Sequence, residues 1–364
     1  MRLAWGVPTI EDKVLQRAVA MLLEPIYEQD FKYFSYGFRP GRSAHEALAC
    51  IWSQCRTHRI KWILDVDVRK YFDTLKHAVL GALLDQRVRE GVIRRLLGKW
   101  LHAGVLDRGQ LSYPEEGTPQ GGVISPLLAN LYLHYVLDCW YLESVKPRLK
   151  GRTLLVRFAD DFILGFENQE DAAKVYAVLF RRFEKYGLQL HAEKTRLVAF
   201  GQPTDQTGNS GGEGTPPGTF DFLGFTHYWG KTRKGRWVIR RQTSRKRFSR
   251  SLKAISQWCR KNLHEPLRVQ VEALGRKLKG HFGYYGITGN YDALARYRRE
   301  VLRVWRKWLA RRGDPRDALG SAEPVALARI FHKGIEQRSG EGVRRLDITE
   351  PNESTTRRFF YDRL

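Results

Sequence analysis

Two short stretches limit what this 364-residue chain can become. One is ILDVDVRKYFD at 63–73 and the other is LVRFADDFILGF at 155–166. Each is an apolar, strand-like run that ends in carboxylates. Trp62 to Val68 reads as a short strand interrupted by Asp65 and Asp67. Leu154–Phe158 and Phe162–Phe166 read as the two strands of a hairpin, with Ala159, Asp160 and Asp161 at its turn. A single Asp at a strand end usually marks a solvated turn. Adjacent acids between Phe158 and Phe162, repeated in kind at a second strand end, are different: unpaired carboxylates among apolar groups are costly. A bound divalent cation would remove that cost.

The chemistry that needs such a cluster is nucleotidyl transfer. Two ions activate a primer 3′-hydroxyl and neutralise the leaving pyrophosphate. Mg²⁺ prefers carboxylate oxygen, water and substrate phosphate, and three converging acids, Asp67, Asp160 and Asp161, would serve it. Asp65 is the rival to Asp67.

Charge points the same way. The chain holds 63 Lys and Arg against 39 Asp and Glu, a net +24. Between Lys231 and Arg312 there are 25 Lys and Arg and 4 Asp and Glu, so this segment carries +21 of that total. Basic charge gathered in one segment fits a module that binds a polyanion better than an evenly solubilised surface. No run of about 18 apolar residues marks a membrane span, and Met1 to Pro8 lacks the pattern of a signal peptide. Cys50, Cys55, Cys139 and Cys259 include no CxxC pair, which argues against a zinc ribbon or disulfide framework. The expected setting is a reducing, bacterial cytoplasm.

Helices are expected after Thr9, after Ser43, over His77 to about Leu101, over Val123 to Trp140 and over Gln169 to Tyr186. Leu197–Phe200 and Phe220–Phe225 read as short strands. The Gly-, Ser- and Pro-rich residues 201–218 between them read as a long hairpin loop within one sheet. Beyond Thr243 three stripes at helical spacing follow: Phe248, Leu252, Ile255 and Cys259; then Leu267 to Phe282; then Leu294 to Trp308. Their aromatics read as core, and the Lys and Arg between them as phosphate contacts.

FADD at 158–161 resembles the YxDD box of reverse transcriptases, with Phe158 keeping the ring of the usual Tyr. GTPQGGVISPLLANLYL at 117–133 resembles the PQG block of the enzymes encoded in bacterial group II introns. SYGFRPGRSAHEA at 35–47 resembles their second fingers block, and GLQLHAEKT at 187–195 and FLGF at 222–225 their sixth and seventh blocks. The resemblance runs in order over about residues 2–312.

It implies an α+β, right-hand polymerase fold. Fingers and palm would occupy 1–235, an α-helical thumb or maturase domain 236–312, and a tail of unassigned role 313–364. The chain opens where the first fingers block is already under way, so the N-terminal fingers would be shortened. No HNH-type endonuclease is expected after the thumb.

The activity implied is RNA-directed DNA synthesis with Mg²⁺, joined to intron RNA binding and splicing assistance. The implied partners are an RNA template, group II intron RNA, a DNA primer or target and deoxynucleotides, with no membrane; a homodimer is left open. The resemblance carries over residue by residue. Asp67, Asp160 and Asp161 match the catalytic acids, and the metal positions would be Asp67, Val68, Asp160 and Asp161. Phe72, five residues after Asp67, matches the aromatic that excludes a ribose 2′-OH. Gln120 matches the glutamine beside the incoming nucleotide, Lys194 the sixth-block lysine, and Arg2 a fingers arginine that holds nucleotide phosphate. Leu223 and Gly224 match the primer grip. Arg245, Lys246 and Arg247 are the chosen RNA contacts in the basic segment. Two alternatives stay open: a splicing maturase of weak catalytic power, and a reverse transcriptase domesticated into a defence system.

Overall fold

The computed structural model describes residues 8–103, 105–107, 110–112, 116–118, 122–203, 217–232 and 234–312. These fall into two compact units, one reaching Leu223 and one starting at Gly224. Arg2, Gln120 and the tail 313–364 lie outside the described residues.

The first unit opens with α1 (Ile10–Glu28), whose first turn is capped by the Thr9 hydroxyl accepting from Asp12 N. Helix α2 (Ala44–Thr57) begins with a capping box between Ser43 and Glu46. Strand β1 (Trp62–Val66) is followed by β2 (Val68–Arg69), so the apolar run breaks at Asp67. A 3₁₀ turn at Tyr71–Asp73 leads to α3 (His77–Leu84) and α4 (Gly91–Leu101). The helical patterns expected from His77 to about Leu101 thus form two helices. The Glu90 carboxylate accepts from Val92 N and Ile93 N and starts a new N-terminus.

Strands β3 (Val105–Asp107) and β4 (Gln110–Ser112) form a small hairpin. Helix α5 (Ser125–Leu133) does not run on to Trp140 as regular α-helix: it widens into π-helical turns at His134–Cys139 and Tyr141–Val145. Then come β5 (Thr153–Phe158), β6 (Asp161–Phe166), α6 (Gln169–Lys185), β7 (Gln189–Leu190), β8 (Arg196–Ala199) and β9 (Phe220–Phe222).

The central sheet is antiparallel in the order β5-β6-β1-β8. Val66 faces Phe162 and Asp65 faces Ile163 across β1 and β6, while Asp65 faces Arg196 across β1 and β8. One face of this sheet packs on α5 and α6 through Leu64, Val66, Leu164, Phe166, Leu128, Tyr132, Leu179 and Phe183, all buried. The expectation that β8 and β9 are two arms of one hairpin is corrected. β8 satisfies its backbone on the open edge of β1, and β9 is not part of that sheet. One bond, Gly218 N to the Ala199 carbonyl at 2.7 Å, joins the flanks of the intervening segment.

In the second unit β10 (Phe225–Lys231) and β11 (Trp237–Thr243) pair antiparallel, with Gly235 at φ 76° in their connection. Helices α7 (Arg245–Lys261), α8 (Leu267–Tyr285) and α9 (Tyr291–Leu309) bury the three expected stripes against one another; Ile255, Cys259, Leu274, Leu278, Phe282, Tyr297, Val301 and Trp305 form the core. Asn290 ties the strands to the bundle: its Oδ1 accepts from Thr243 N, and its Nδ2 donates to Thr243 Oγ1 and the Tyr285 carbonyl. The α+β class expected from the sequence is the class observed. Among the described residues no helix is long and apolar enough to cross a membrane.

Candidate active site

Strand pairing brings the two acidic segments to one end of the central sheet. β5 and β6 close with Phe158 opposite Asp161, which leaves Ala159 and Asp160 as the two-residue turn. Asp161 is thus the first residue of β6, not a turn residue. Ala159 takes φ 56°, the left-handed conformation a tight hairpin of this kind requires. The neighbouring strand β1 ends at Val66, opposite Phe162, so Asp67 emerges beside the turn.

Asp160 is half-buried. Burial raises its pKa above the usual carboxylate range, and the charge of Asp67 adds to the rise. Asp67 lies close enough to Asp160 to repel it, and Lys194 supplies the opposing charge. Its Nζ donates to Asp67 Oδ2 at 2.8 Å. The Asp67 carbonyl accepts from His191 N at 2.8 Å, which holds the Lys194 segment against this strand end.

Asp65 has other company. Its Oδ2 lies 3.4 Å from Arg196 Nε. Its pKa rises from 3.8 to about 6, mainly through burial, with Asp221 and Asp67 adding and Arg196 opposing. Val68 is buried and paired with Leu190, so its side chain belongs to the core.

Phe72 sits in the 3₁₀ turn, half-buried, edge-on to Tyr71 at 5.4 Å between ring centroids. The start of the GTPQGG segment is pinned to it: Thr118 N donates to the Phe72 carbonyl and Gly117 N to the Leu75 carbonyl, both at 2.7 Å. Gly117 has φ 92°, and a Cβ there would stand 2.9 Å from the Phe72 oxygen, so this approach requires glycine. On the far side of that segment Val123 N donates to Gln16 Oε1 of α1 at 2.8 Å. Gln120 lies between these anchors in sequence but outside the described residues.

Leu223 and Gly224 have φ 49° and 80°. A Cβ on Gly224 would also meet Tyr285 Oη at 2.9 Å. Arg245, Lys246 and Arg247 are exposed on the first turn of α7. Cations at a helix N-terminus oppose the helix dipole, so these three do not serve the helix itself.

Sequence reasoning missed the support behind the turn. Arg157 is fully buried, with 0% of its surface exposed. Its Nε and Nη2 donate to the two oxygens of Asp138 at 2.9 and 2.6 Å. Its Nη1 donates to Asn130 Oδ1 at 2.9 Å and to the Ala159 carbonyl at 3.1 Å. Burial pushes the Asp138 carboxyl up, and the Arg157 guanidinium beside it opposes this. A cation inside the apolar strand LLVRF and an acid inside the apolar helix after Ser125 were the available signals. Arg39, in the RPGR part of the fingers-like block, is also committed internally: it grips Glu28 and donates to the Lys32 and Ser35 carbonyls.

The model of the family described as reverse transcriptase (RNA-dependent DNA polymerase) matches residues 1–227. The chain belongs to that family. Enzymes of the family use divalent metal ions. Within it the similarity runs to group II intron proteins. The chain is 43% identical over 138 residues to the group II intron-encoded protein LtrA of Lactococcus lactis subsp. cremoris, covering 38% of this chain and 22% of LtrA. It is 38% identical over 189 residues to protein YkfC of Escherichia coli K12, covering 44% of this chain and 49% of YkfC. It therefore spans half or less of these curated relatives. Among solved structures, apo telomerase from Candida tropicalis overlays with a TM-score of 0.46 at 14% identity, over 93% of this chain and 59% of that one.

Proposed function

We propose that the chain is an RNA-directed DNA polymerase of the group II intron kind, which adds deoxynucleotides to a primer 3′-OH and whose basic helical unit binds intron RNA and assists splicing. The observation that carries the reading is the Asp67–Asp160 pair. Two carboxylates from neighbouring strand ends repel one another beside a hairpin turn, in a chain of the reverse transcriptase family.

The donors fit a divalent cation in kind. They are hard oxygens whose mutual repulsion a cation would relieve, and the ammonium of Lys194 now stands as the counter-charge on Asp67. Among the described residues no three His, Cys, Asp or Glu side chains stand close enough to form a ready cluster, so binding would draw Asp67, Asp160 and Asp161 together. When bound, Mg²⁺ would supply activation of the 3′-OH and charge neutralisation on the leaving pyrophosphate.

The chain's own groups would do the rest. The primer 3′-oxygen forms a bond to the α-phosphorus as the bond to pyrophosphate breaks, and the hydroxyl proton leaves to solvent. The ring of Phe72, fixed through its carbonyl to Thr118, would block a 2′-OH. Gln120 and Arg2 would contact the incoming nucleotide. Lys194, freed from Asp67, would reach its phosphates. Leu223 and Gly224 would hold the primer strand. A second reading, a splicing maturase of weak catalytic power, draws on the Lys194–Asp67 pair, which competes with metal at one acid.

The test is primer extension on an RNA template with Mg²⁺, comparing parent and Asp160→Ala. The rate should fall by roughly 100- to 1,000-fold or further, the scale of losing a charge-stabilising group. A variant that extends as fast as the parent would remove Asp160 from the chemistry.

A further inference from the structure

We propose that Arg157 is a positioning residue for the polymerase reaction: buried behind the hairpin, it fixes the Ala159 carbonyl and thereby aims Asp160. The inference rests on the reading of Asp160 as a catalytic acid.

Three observations carry it. The first is the conformation of the turn. Ala159 holds φ 56°, which costs a residue with a Cβ energy and persists only where the surroundings over-determine it. The Arg157 Nη1 bond to the Ala159 carbonyl lies within the same turn, one peptide before Asp160.

The second is that Arg157 is itself immobilised. Four of its contacts converge from different elements: both oxygens of Asp138, the Asn130 amide oxygen and the Ala159 carbonyl. A planar guanidinium can hold these at once, and a point charge cannot.

The third is a backbone stacked against the same turn. Tyr36 N donates to the Arg157 carbonyl and Arg157 N to the Phe34 carbonyl, both at 2.9 Å. Asn130 Nδ2 donates to the Gly37 carbonyl at 2.6 Å. A Cβ on Gly37 would stand 2.2 Å from Ala159 N, so the turn at Gly37 fills the space into which the hairpin turn would relax. Asn130 thus links both supports, accepting from Arg157 and donating to Gly37. The buried ion pair is weak evidence for stability in itself, because burying two charges costs about as much as their attraction returns. Its connection to the Ala159 carbonyl gives it a role that an apolar pair of equal volume would not fill.

The experiment uses the full chain with an RNA template, a DNA primer and Mg²⁺. Four variants are compared with the parent. Arg157→Lys keeps a positive charge and loses the fork. Asn130→Ala leaves the Arg157–Asp138 pair in place and cuts the link to Gly37. Leu179→Ala, in the buried core on α6, controls for lost stability alone. Asp160→Ala tests the underlying reading. Melting temperature, folded fraction, kcat, KM for deoxynucleotide and the Mg²⁺ concentration for half-maximal rate are measured on each.

Arg157→Lys should lower kcat per folded molecule by about 100-fold, the scale of a misplaced reacting group, with KM changed by no more than about twofold. Asn130→Ala should fall in the same direction by about tenfold. Both should need several-fold more Mg²⁺, and Leu179→Ala should show neither effect at a matched melting temperature. If Arg157→Lys does not fold, Asn130→Ala alone decides. The proposal is overturned if kcat per folded molecule and the Mg²⁺ curve of these variants match the parent or the Leu179→Ala control. If Asp160→Ala retains synthesis, the reading of the site falls and the proposal with it; if Asp160→Ala is dead while Arg157→Lys and Asn130→Ala match the parent or the Leu179→Ala control, only the positioning role falls.

Discussion

Asp65 and Asp67 stand two residues apart on one strand end, yet they have different neighbours. Asp67 faces Lys194 and the Asp160 turn, while Asp65 points to Arg196 and Asp221. That difference gives a discriminating pair of variants. Asp67→Asn should stop primer extension and Asp65→Asn should leave it largely intact. Asp65 also leaves a mark on stability. Its pKa is raised from 3.8 to about 6 in the folded chain. Between these values the folded state holds a proton that the unfolded state has lost, so stability falls as pH rises through this window and stays lower above it. Asp65→Asn should therefore gain more in melting temperature at pH 7.5 than at pH 4, and an equal or smaller gain at the higher pH would show that Asp65 is well solvated. Phe72→Ala should raise ribonucleotide incorporation relative to deoxynucleotide by roughly 10- to 100-fold, the range for reshaping a tight pocket. Unchanged sugar selection would free Phe72 of the gate role. The acids were legible because carboxylates are conspicuous in an apolar strand. Gly37, Asn130 and Arg157 were not, because their meaning lies in what each one faces: Gly37 meets Ala159 only across a fold that brings distant segments together.

At the scale of elements, periodicity did well where one face is buried and the other wet. Helices α2, α6 and α7 to α9 fall where the apolar stripes and the Ser43 cap put them. It failed where burial is uniform or polar residues crowd both faces. The helix after Ser125 is buried all round, so nothing in its pattern marks the change to wider turns. Strands β10 and β11 were missed because their apolar residues are broken up: Thr226, His227 and Gly230 interrupt β10, and in β11 Trp237, Val238 and Ile239 give way to Arg240 and Arg241. Helix α7 carries its own prediction. Arg245, Lys246 and Arg247 oppose the helix dipole, so replacing all three with Gln should leave the bundle at least as stable. Affinity for intron RNA should weaken, and the log–log salt dependence should flatten by about one unit for each phosphate that goes unneutralised. Filter binding at several salt concentrations checks this, and an unchanged slope would mean these side chains do not touch phosphate.

Across the whole molecule the two units differ in charge. The paired acids lie in the first unit, and the segment from Lys231 to Arg312 holds +21 of the net +24. Synthesis and RNA binding should then separate. Asp160→Asn should end cDNA synthesis while intron RNA affinity stays within about twofold, since the lost charge is far outweighed by the basic segment. Splicing assays and binding titrations on the same preparation test it; parallel loss of both activities would show that one site serves both. The described residues also show what no sequence block contains, namely how the loop around Gly37 braces the hairpin from behind.

The winding of the helix that carries Asn130 and Asp138 has a consequence for length. A regular α-helix turns about 100° per residue, so residues eight apart would point about 80° away from one another. The π turns from His134 to Cys139 advance by roughly 80–90° per residue, which brings Asp138 back nearly in line with Asn130 and under the same guanidinium. The helix thus holds one spare residue without turning its acid away. Deleting a residue between His134 and Leu137 lets it tighten to ordinary winding and still deliver the aspartate to Arg157, whereas inserting one carries the aspartate past it. In the currency of insertions and deletions, this stretch has room to lose and none to gain.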